Sequence, residues 1–204
     1  MAAQASNQSN TVAIISPKYC SPSSVELGIV RKFMSLCEGD FDVLDINGNI
    51  IFTAKEKVLA FLHEKKFILD PAGKPILTLR KKAMTAHSRW QVFRGESEEL
   101  KDLIFTVKKH SLLDLKLQVD VFLANNRDEQ ICDFKIKCSL FEHSCVIYTG
   151  EDSSTIIAEM HKKPSAKSIL LGKTNFMVTV NPNVDHVFVV ALIVVLDEIL
   201  FVRY

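Results

Sequence analysis

The sequence of 204 residues lacks an excess of either charge, since 25 lysines and arginines stand against 24 aspartates and glutamates. Proteins that bind nucleic acid through a general electrostatic field usually carry a strong positive charge. Nucleic acid is therefore not an expected partner, and any binding site for an anion has to be a local patch. Apolar residues make up 48% of the chain, which is enough for a substantial core.

Glycine is scarce as well, with seven in the chain. The glycine-rich loops that cradle phosphates or dinucleotides are absent, and so is the glycine-flanked serine of hydrolases. Histidine and serine are neighbours at 87–88, 110–111 and 143–144, but adjacent residues on a strand point to opposite faces. We therefore expect a protein that is not an enzyme, with no catalytic residues and no cofactor.

The cysteines lack the C-x-x-C spacing of zinc and redox motifs. An odd number without that spacing indicates reduced, mostly buried thiols and no metal site. The five are Cys20, Cys37, Cys132, Cys138 and Cys145.

The N-terminus lacks the charged and apolar regions of a signal peptide. Its polar composition predicts a disordered tail over residues 1–16. A cytoplasmic protein is expected, peripheral at a membrane or nuclear. No stretch rich in proline, glycine or serine divides the remainder, so residues 17–204 are predicted to form a single domain and the protein to be a monomer.

From Phe41 onward, short runs rich in valine, isoleucine, phenylalanine and threonine are separated by turn signals. This pattern is typical of an all-β barrel or sandwich. About twelve strands are predicted, at 41–46, 49–55, 67–70, 75–80, 90–94, 103–109, 117–123, 132–138, 145–148, 156–161, 168–171 and 176–180.

Two of the predicted hairpins share one turn pattern. Asp45-x-x-Gly48 and Asp70-x-x-Gly73 each precede an apolar run, and residues 151–160 repeat the pattern without its glycine. Asn-Gly is a strong hairpin signal because both turn positions need positive φ. The pattern predicts a recurrent hairpin.

The chain has one long apolar run, at 187–196, followed by Asp197 and Glu198. A membrane-spanning helix needs about twenty apolar residues, and an acidic residue at its centre costs about 2.5 to 3.5 kcal/mol. These values disfavour an integral membrane span.

A helix is favoured over a strand for this run because the preceding residues resemble a helix start. Asn181 is predicted as the N-cap, Pro182 as the first helical residue and Asp185 as an acidic residue of the first turn. A helix that is apolar on every face has to be enclosed on every face. A barrel of about twelve strands is wide enough to enclose it.

Five segments together resemble the plant LURP-one-related proteins, whose fold is similar to that of the tubby C-terminal domain and the phospholipid scramblases. They recur in order along nearly the whole chain from Pro17. They are PKYC at 17–20, GKPILTLRKK at 73–82, SRWQVFRG at 88–95, CDFKIK at 132–137 and VNPNVD at 180–185.

The resemblance implies a closed twelve-stranded barrel around a buried hydrophobic C-terminal helix. From tubby relatives it implies phosphoinositide binding through basic residues, and from scramblases a lipid-moving activity with calcium. The resemblance to the LURP-one-related proteins themselves implies a link to plant defence. Fold similarity alone does not determine function.

The most basic stretch of the sequence supplies candidates for a lipid headgroup site. Lysines and arginines that converge on one face of a hairpin hold phosphate groups through charge and through the fork-shaped hydrogen bonds of arginine. The ordinary alternative is that basic side chains decorate the polar faces and edges of strands. The candidates are Arg80, Lys81, Lys82, Arg89 and Arg94, which Lys108, Lys109, Lys162, Lys163 and Lys167 would extend.

We therefore predict a non-enzymatic, tubby-like signalling or defence module that binds anionic phospholipid headgroups or a protein partner. A scramblase-like, lipid-translocating protein is the alternative. A nucleic-acid-binding transcription regulator is the second alternative, which the balanced charge disfavours.

Overall fold

The computed structural model describes residues 11–31, 40–56, 65–82, 89–113, 116–139, 141–162 and 175–201. Within these ranges the chain forms a closed antiparallel barrel in which consecutive strands are neighbours and the last strand pairs with the first. The strands are β1 (Val25–Arg31), β2 (Phe41–Leu44), β3 (Ile50–Glu56), β4 (Lys65–Leu69), β5 (Pro75–Lys81), β6 (Arg89–Arg94), β7 (Leu103–Leu113), β8 (Lys116–Leu123), β9 (Phe134–Ser139), β10 (Ser144–Thr149), β11 (Thr155–Lys162) and β12 (Asn175–Val180).

An α-helix, α1 (His186–Phe201), follows β12, and short 3₁₀ turns lie at Pro17–Tyr19 and Leu100–Asp102. The predicted architecture, a mainly β closed barrel with an apolar C-terminal helix inside it, is confirmed. The first strand, β1, is absent from the sequence prediction, and the strand predicted at 168–171 lies outside the described residues.

The Asp-x-x-Gly pattern forms the same turn twice. In each copy the aspartate carboxylate accepts hydrogen bonds from two backbone amides, those of Asn47 and Asn49 in one turn and those of Ala72 and Lys74 in the other. The glycines adopt φ of +84° and +81°, which other residues rarely adopt. We call the barrel end with these two turns the upper end. The opposite end, where β1 and β5 finish, is the lower end.

Helix α1 lies in the barrel interior. All ten residues of the apolar run are at most 4% exposed. The aromatic ring of Phe188 packs against Phe105 of β7 and Phe134 of β9, with ring centroids 5.1 and 4.8 Å apart. Because inward residues alternate with outward residues along each strand, apolar side chains from all around the barrel surround the helix and form one core with it.

The helix begins later than its sequence predicts. Asp185 caps it at the upper end, because its Oδ1 accepts hydrogen bonds from the amides of Val187 and Phe188 at 3.0 and 3.1 Å. The predicted N-cap, Asn181, instead donates its side-chain amide to the carbonyl of Ile156. Residue Asn183 adopts a left-handed φ of +61°, so the Asn-Pro-Asn segment turns the chain before the helix starts and the prediction is wrong by one turn.

The two acidic residues that follow the apolar run meet basic partners on the barrel wall. Asp197 forms an ion pair with Arg31 of β1, and Glu198 forms one with Lys66 of β4. Lys66 is 1% exposed and its ammonium lies 5.9 Å from the ring centre of Phe41. Burial raises the pKa of Asp197, and the hydrogen bond from Arg31 opposes that rise. These pairs allow an acidic helix end to remain inside the barrel.

The folded unit starts before Pro17, the predicted boundary. Val12 forms a β-bridge with Val184, and Ile15 is 6% exposed in the core. The backbone amides of Ile15 and Ser16 donate to Oδ2 of Asp185 at 2.7 and 3.0 Å. The part of the predicted tail that the structure describes therefore packs onto the barrel, and residues 1–10 lie outside the described ranges.

Two cysteines are joined, which differs from the expectation of reduced thiols. Cys138 and Cys145 lie opposite each other on β9 and β10 and form a disulfide with 4.0 Å between their Cα atoms. The register of β9 and β10 brings the two cysteines together, and this register cannot be read from the spacing of the cysteines in the sequence. Cys20 and Cys132 are free thiols, and Cys37 lies outside the described residues.

Candidate functional site

Three of the five predicted basic residues share the outer face of the β5–β6 hairpin. Arg80 lies opposite Gln91, and the amide of Lys82 donates to the carbonyl of Arg89 at 2.8 Å. The intervening residues Leu79 and Trp90 are buried in the core. Because side chains alternate along a strand, Arg80, Lys82 and Arg89 project outward.

Strand β7 adds a lysine to this set. Lys108 lies opposite Arg89, and its neighbour Val107 is part of the core, so Lys108 also projects outward. Directly opposed side chains on antiparallel strands have Cβ atoms about 5 Å apart. Lys82, Arg89 and Lys108 therefore form a line across three adjacent strands, which we call the basic row.

One carboxylate neutralises part of this row. Glu129, from the segment between β8 and β9, accepts two hydrogen bonds from the guanidinium of Arg89, at 2.9 and 2.6 Å. Both side chains are about a quarter exposed. Asp120 of β8 lies opposite Lys108 at the end of the row. Arg89 is held in place by the paired geometry that arginine favours with carboxylates.

A second carboxylate engages Arg80. Glu98, from the segment between β6 and β7, accepts from Arg80 at 3.1 Å and also pairs with Lys65 of β4. The hydrogen bond from Lys65 and the charge of both cations hold the pKa of Glu98 below its ordinary value. Arg80 also donates to Gln91 at 2.9 Å. Arg80 is therefore committed to contacts within the protein.

The other two predicted residues lie apart from the row. Lys81 lies opposite Trp90, on the inward side of β5 at the lower end. Arg94 lies opposite Leu77 at the upper end of β6, five residues from Arg89, a distance of about 16 Å along a strand. Its guanidinium donates to the carbonyl of Ile15 at 3.1 Å. The structure thus divides the predicted cluster between the two ends of the barrel.

A partly buried ionic network, which begins at Asp120 opposite Lys108 of the row, is absent from the sequence prediction. Lys135 of β9 pairs with Glu151 and lies 3.7 Å from Asp120 of β8, which is hydrogen-bonded to His110 at 2.8 Å. Lys135 and Asp120 are 6% and 7% exposed. The alternation around Lys135 indicates an outward side chain, but only the fold shows the loops that cover it.

The thiol of Cys132 belongs to the same network. It donates to Glu151 at 3.0 Å. Burial, followed by this hydrogen bond, raises the pKa of Cys132 to about 12. Hydrogen bonds from Cys132 and Lys135 lower the pKa of Glu151 to about 2. At neutral pH the cysteine is therefore a neutral donor and Glu151 a charged acceptor, an arrangement that stabilises the loop and gives no thiolate nucleophile.

Across the ranges that the structure covers, no helix is both long enough and apolar enough to cross a bilayer. In the same part of the chain, no three histidine, cysteine, aspartate or glutamate side chains come together as metal ligands.

Comparisons with known proteins agree with this architecture. The family model described as LURP-one-related matches residues 25–197. Protein LURP-one-related 15 of Arabidopsis thaliana is 50% identical over 91% of this chain and 85% of its own length. Protein LURP1 of the same plant is 48% identical over 91% and 89%. An X-ray structure of an Arabidopsis thaliana protein, 42% identical, superposes with a TM-score of 0.72 over 92% of this chain and 98% of that chain. The chain belongs to the LURP-one-related family.

Proposed function

We propose that this protein is a non-enzymatic signalling module that binds the phosphorylated headgroups of anionic phospholipids through the basic row. The observation that carries the proposal is the alignment of Lys82, Arg89 and Lys108 across one outer face of the barrel. The role in plant defence that the family resemblance implies, and a location peripheral to a membrane, are parts of the same proposal.

The charge of the row is suited to this task. A basic side chain near an acidic leaflet contributes about 1 kcal/mol of binding free energy, so a row of three basic side chains, one of them paired with Glu129, gives weak, reversible attachment that salt opposes. Both terminal nitrogens of the Arg89 guanidinium donate to Glu129, so in the wild-type protein Arg89 contributes positive charge and its remaining N–H donors to a bound phosphate group. The two lysines add positive charge without requiring a fixed geometry.

Vesicle binding of the double variant Lys82→Ala, Lys108→Ala tests the proposal. We expect the wild-type protein to sediment with phosphatidylcholine vesicles that contain a phosphoinositide, and the variant to bind them about tenfold more weakly or worse. The matched control is Lys18→Ala, Lys74→Ala, which removes the same charge from exposed side chains at the upper end and should bind as the wild type does. Binding should also fall when salt is raised.

The contrary results are well defined. Equal sedimentation with vesicles of phosphatidylcholine alone, or equal loss in both double variants, would overturn the assignment of the row. Calcium-dependent movement of labelled lipid between leaflets in the same vesicles would favour a scramblase-like activity instead. Binding of a protein partner that the row variant loses, without any vesicle binding, would show that the row recognises a polypeptide.

The carboxylate that restrains the row gives a prediction of opposite sign. Glu129→Gln removes the negative charge beside Arg89 and keeps the size of the side chain. We expect it to strengthen binding to phosphoinositide vesicles several-fold, because the row then gains one net positive charge and a neutral amide holds the arginine fork less strongly than a carboxylate does. Sedimentation at fixed salt measures the change. The control Glu99→Gln removes a carboxylate that is 68% exposed and pairs with Lys101, and a similar gain from it would contradict the prediction.

A further inference from the structure

A cleft of about 370 Å³ opens at the upper end of the barrel. One wall is the N-terminal segment at Ala13 and Ile14, and the other is formed where β7 begins and β8 ends. A cavity of this size accommodates a compact small molecule. The cleft is remote from the basic row, because the row lies near the lower end of the same strands.

Apolar side chains line part of the cleft. Ile14, Ile104 and Leu123 line it, and all three are partly buried against the hydrophobic core. Their inner sides are therefore fixed by packing, while their remaining surface faces the cleft. A ligand with an apolar body would remove that surface from water and gain free energy in proportion to the area covered.

The rim of the cleft carries an arginine with unused hydrogen-bonding capacity. Arg94 is exposed, and its described contact is the single hydrogen bond to Ile15. A guanidinium has five N–H donors in a rigid fork. In the part of the chain that the structure describes, no carboxylate pairs with Arg94, in contrast to Arg80 and Arg89.

Two further charged residues at the rim select the charge of a ligand. Lys101 pairs with Glu99 on the surface, where both side chains are about 70% exposed, and such a pair is easily exchanged. The carboxylate of Asp102 accepts from Ser97 at 2.6 Å and lines the cleft. A fixed negative charge in the lining of the same cleft disfavours a doubly charged phosphate more than a singly charged carboxylate.

We propose that this cleft binds a small organic carboxylate with an apolar body, with Arg94 holding the carboxylate and the isoleucine and leucine side chains holding the apolar part. This site goes beyond the proposed function, since it uses the other end of the barrel and a different class of ligand. Arg94, predicted as part of the headgroup cluster, belongs to this separate site.

Protein NMR with benzoate as the probe tests the proposal. We expect benzoate to shift the backbone amide signals of Ile14, Leu103 and Leu123 in a saturable manner. Benzamide, which has the same shape without the charge, should bind at least about tenfold more weakly, because it loses the charge-assisted hydrogen bonds. Phenyl phosphate should bind more weakly than benzoate because of Asp102.

Two variants separate the roles of charge and space. Arg94→Gln removes the positive charge, keeps a polar side chain and should weaken benzoate binding about tenfold or more. Ala124→Leu adds bulk to the lining of the cleft and should block the probe while Arg94 is intact. The matched controls are Arg127→Gln and Ala72→Leu, at exposed positions outside the cleft, which should bind benzoate as the wild type does.

Several results would overturn the proposal. These are no saturable shift at millimolar benzoate, equal affinity for benzamide, unchanged binding in Arg94→Gln, or unchanged binding in Ala124→Leu with a well-dispersed spectrum. None of these bears on vesicle binding, which depends on Lys82 and Lys108. Conversely, a protein that fails to sediment with vesicles can still bind benzoate, so failures of the two proposals are distinguishable.

Discussion

A chain in which Val190 is replaced by aspartate is expected to lose its cooperative fold. Val190 lies in the middle of α1 and has no exposed surface. The residues before and after it in the helix are buried as well, so the carboxylate cannot reach water by a change of rotamer. An aspartate there has no cation to pair with, because Arg31 and Lys66 are occupied near the end of the helix.

The expected cost is comparable with the stability of a whole domain. An unpaired charge in an apolar interior costs about 5 kcal/mol or more, against a total of about 5 to 15 kcal/mol for a typical domain. The measurements are the yield of folded protein, the near-ultraviolet circular dichroism spectrum and the denaturant midpoint. Val190→Ala should remain folded and lose about 2 kcal/mol, since it removes contacts without introducing a charge.

The matched control places the same charge on the surface. Ile46 is 78% exposed in the β2–β3 turn, and Ile46→Asp should leave the denaturant midpoint nearly unchanged. A soluble Val190→Asp protein with a wild-type midpoint would show that the helix is not enclosed. Whether α1 is enclosed also determines whether it can contact a membrane. An apolar run that is buried on all sides offers no surface to a bilayer while the barrel is closed.

Much of this fold could be predicted from the sequence because its determinants are local. Strand alternation, Asn-Gly turn chemistry and the length of the apolar run each depend on a few neighbouring residues. The strand β1 has the same alternation at Leu27 and Ile29, but Gly28 interrupts a short run and weakens the signal. The sequence predicts the start of α1 one turn too early although its cap is local, because Asn181-Pro182 and Asp185 are both plausible helix starts and only the structure shows that Asp185 caps Val187 and Phe188. The second role of Asp185 could not be predicted, since its other oxygen accepts from a residue 170 positions away.

Less of the candidate site could be predicted, because its determinants are not local. Alternation is enough to place Lys82 and Arg89 on one outer face, and strand order brings Lys108 beside them. Which cations are neutralised depends on Glu98 and Glu129, and both come from irregular segments that fold back over the strands. Arg94 lies apart from the other predicted basic residues because the length of β6 places it at the opposite end of the barrel. The cleft that Arg94 lines is formed in part by the N-terminal segment, whose position the sequence does not reveal.

The second large effect is expected at Asp185, which joins the helix to the N-terminal segment. Its carboxylate has no exposed surface and accepts four backbone hydrogen bonds, two from the start of α1 and two from the amides of Ile15 and Ser16. Asp185→Asn replaces one acceptor oxygen by an N–H₂ group, which faces other donors and accepts nothing.

We expect Asp185→Asn to destabilise the protein by about 2 to 4 kcal/mol. Two buried amides lose their acceptor, and each such loss costs about 1 to 3 kcal/mol. Asparagine is itself a good N-cap, so the remaining oxygen should stay with the helix. Hydrogen exchange should then accelerate at Ile15 and Ser16 more than at Val187 and Phe188.

The control is Asp70→Asn, because the carboxylate of Asp70 also accepts two backbone amides but only within its own β4–β5 turn. It should change exchange in that turn and leave Ile15 protected. Faster exchange throughout α1 in Asp185→Asn, with Ile15 unchanged, would mean that the carboxylate serves the helix alone. Because Ile14 forms one wall of the cleft, release of the N-terminal segment should also weaken benzoate binding while Arg94 is intact, which links the stability of this junction to the proposed ligand site.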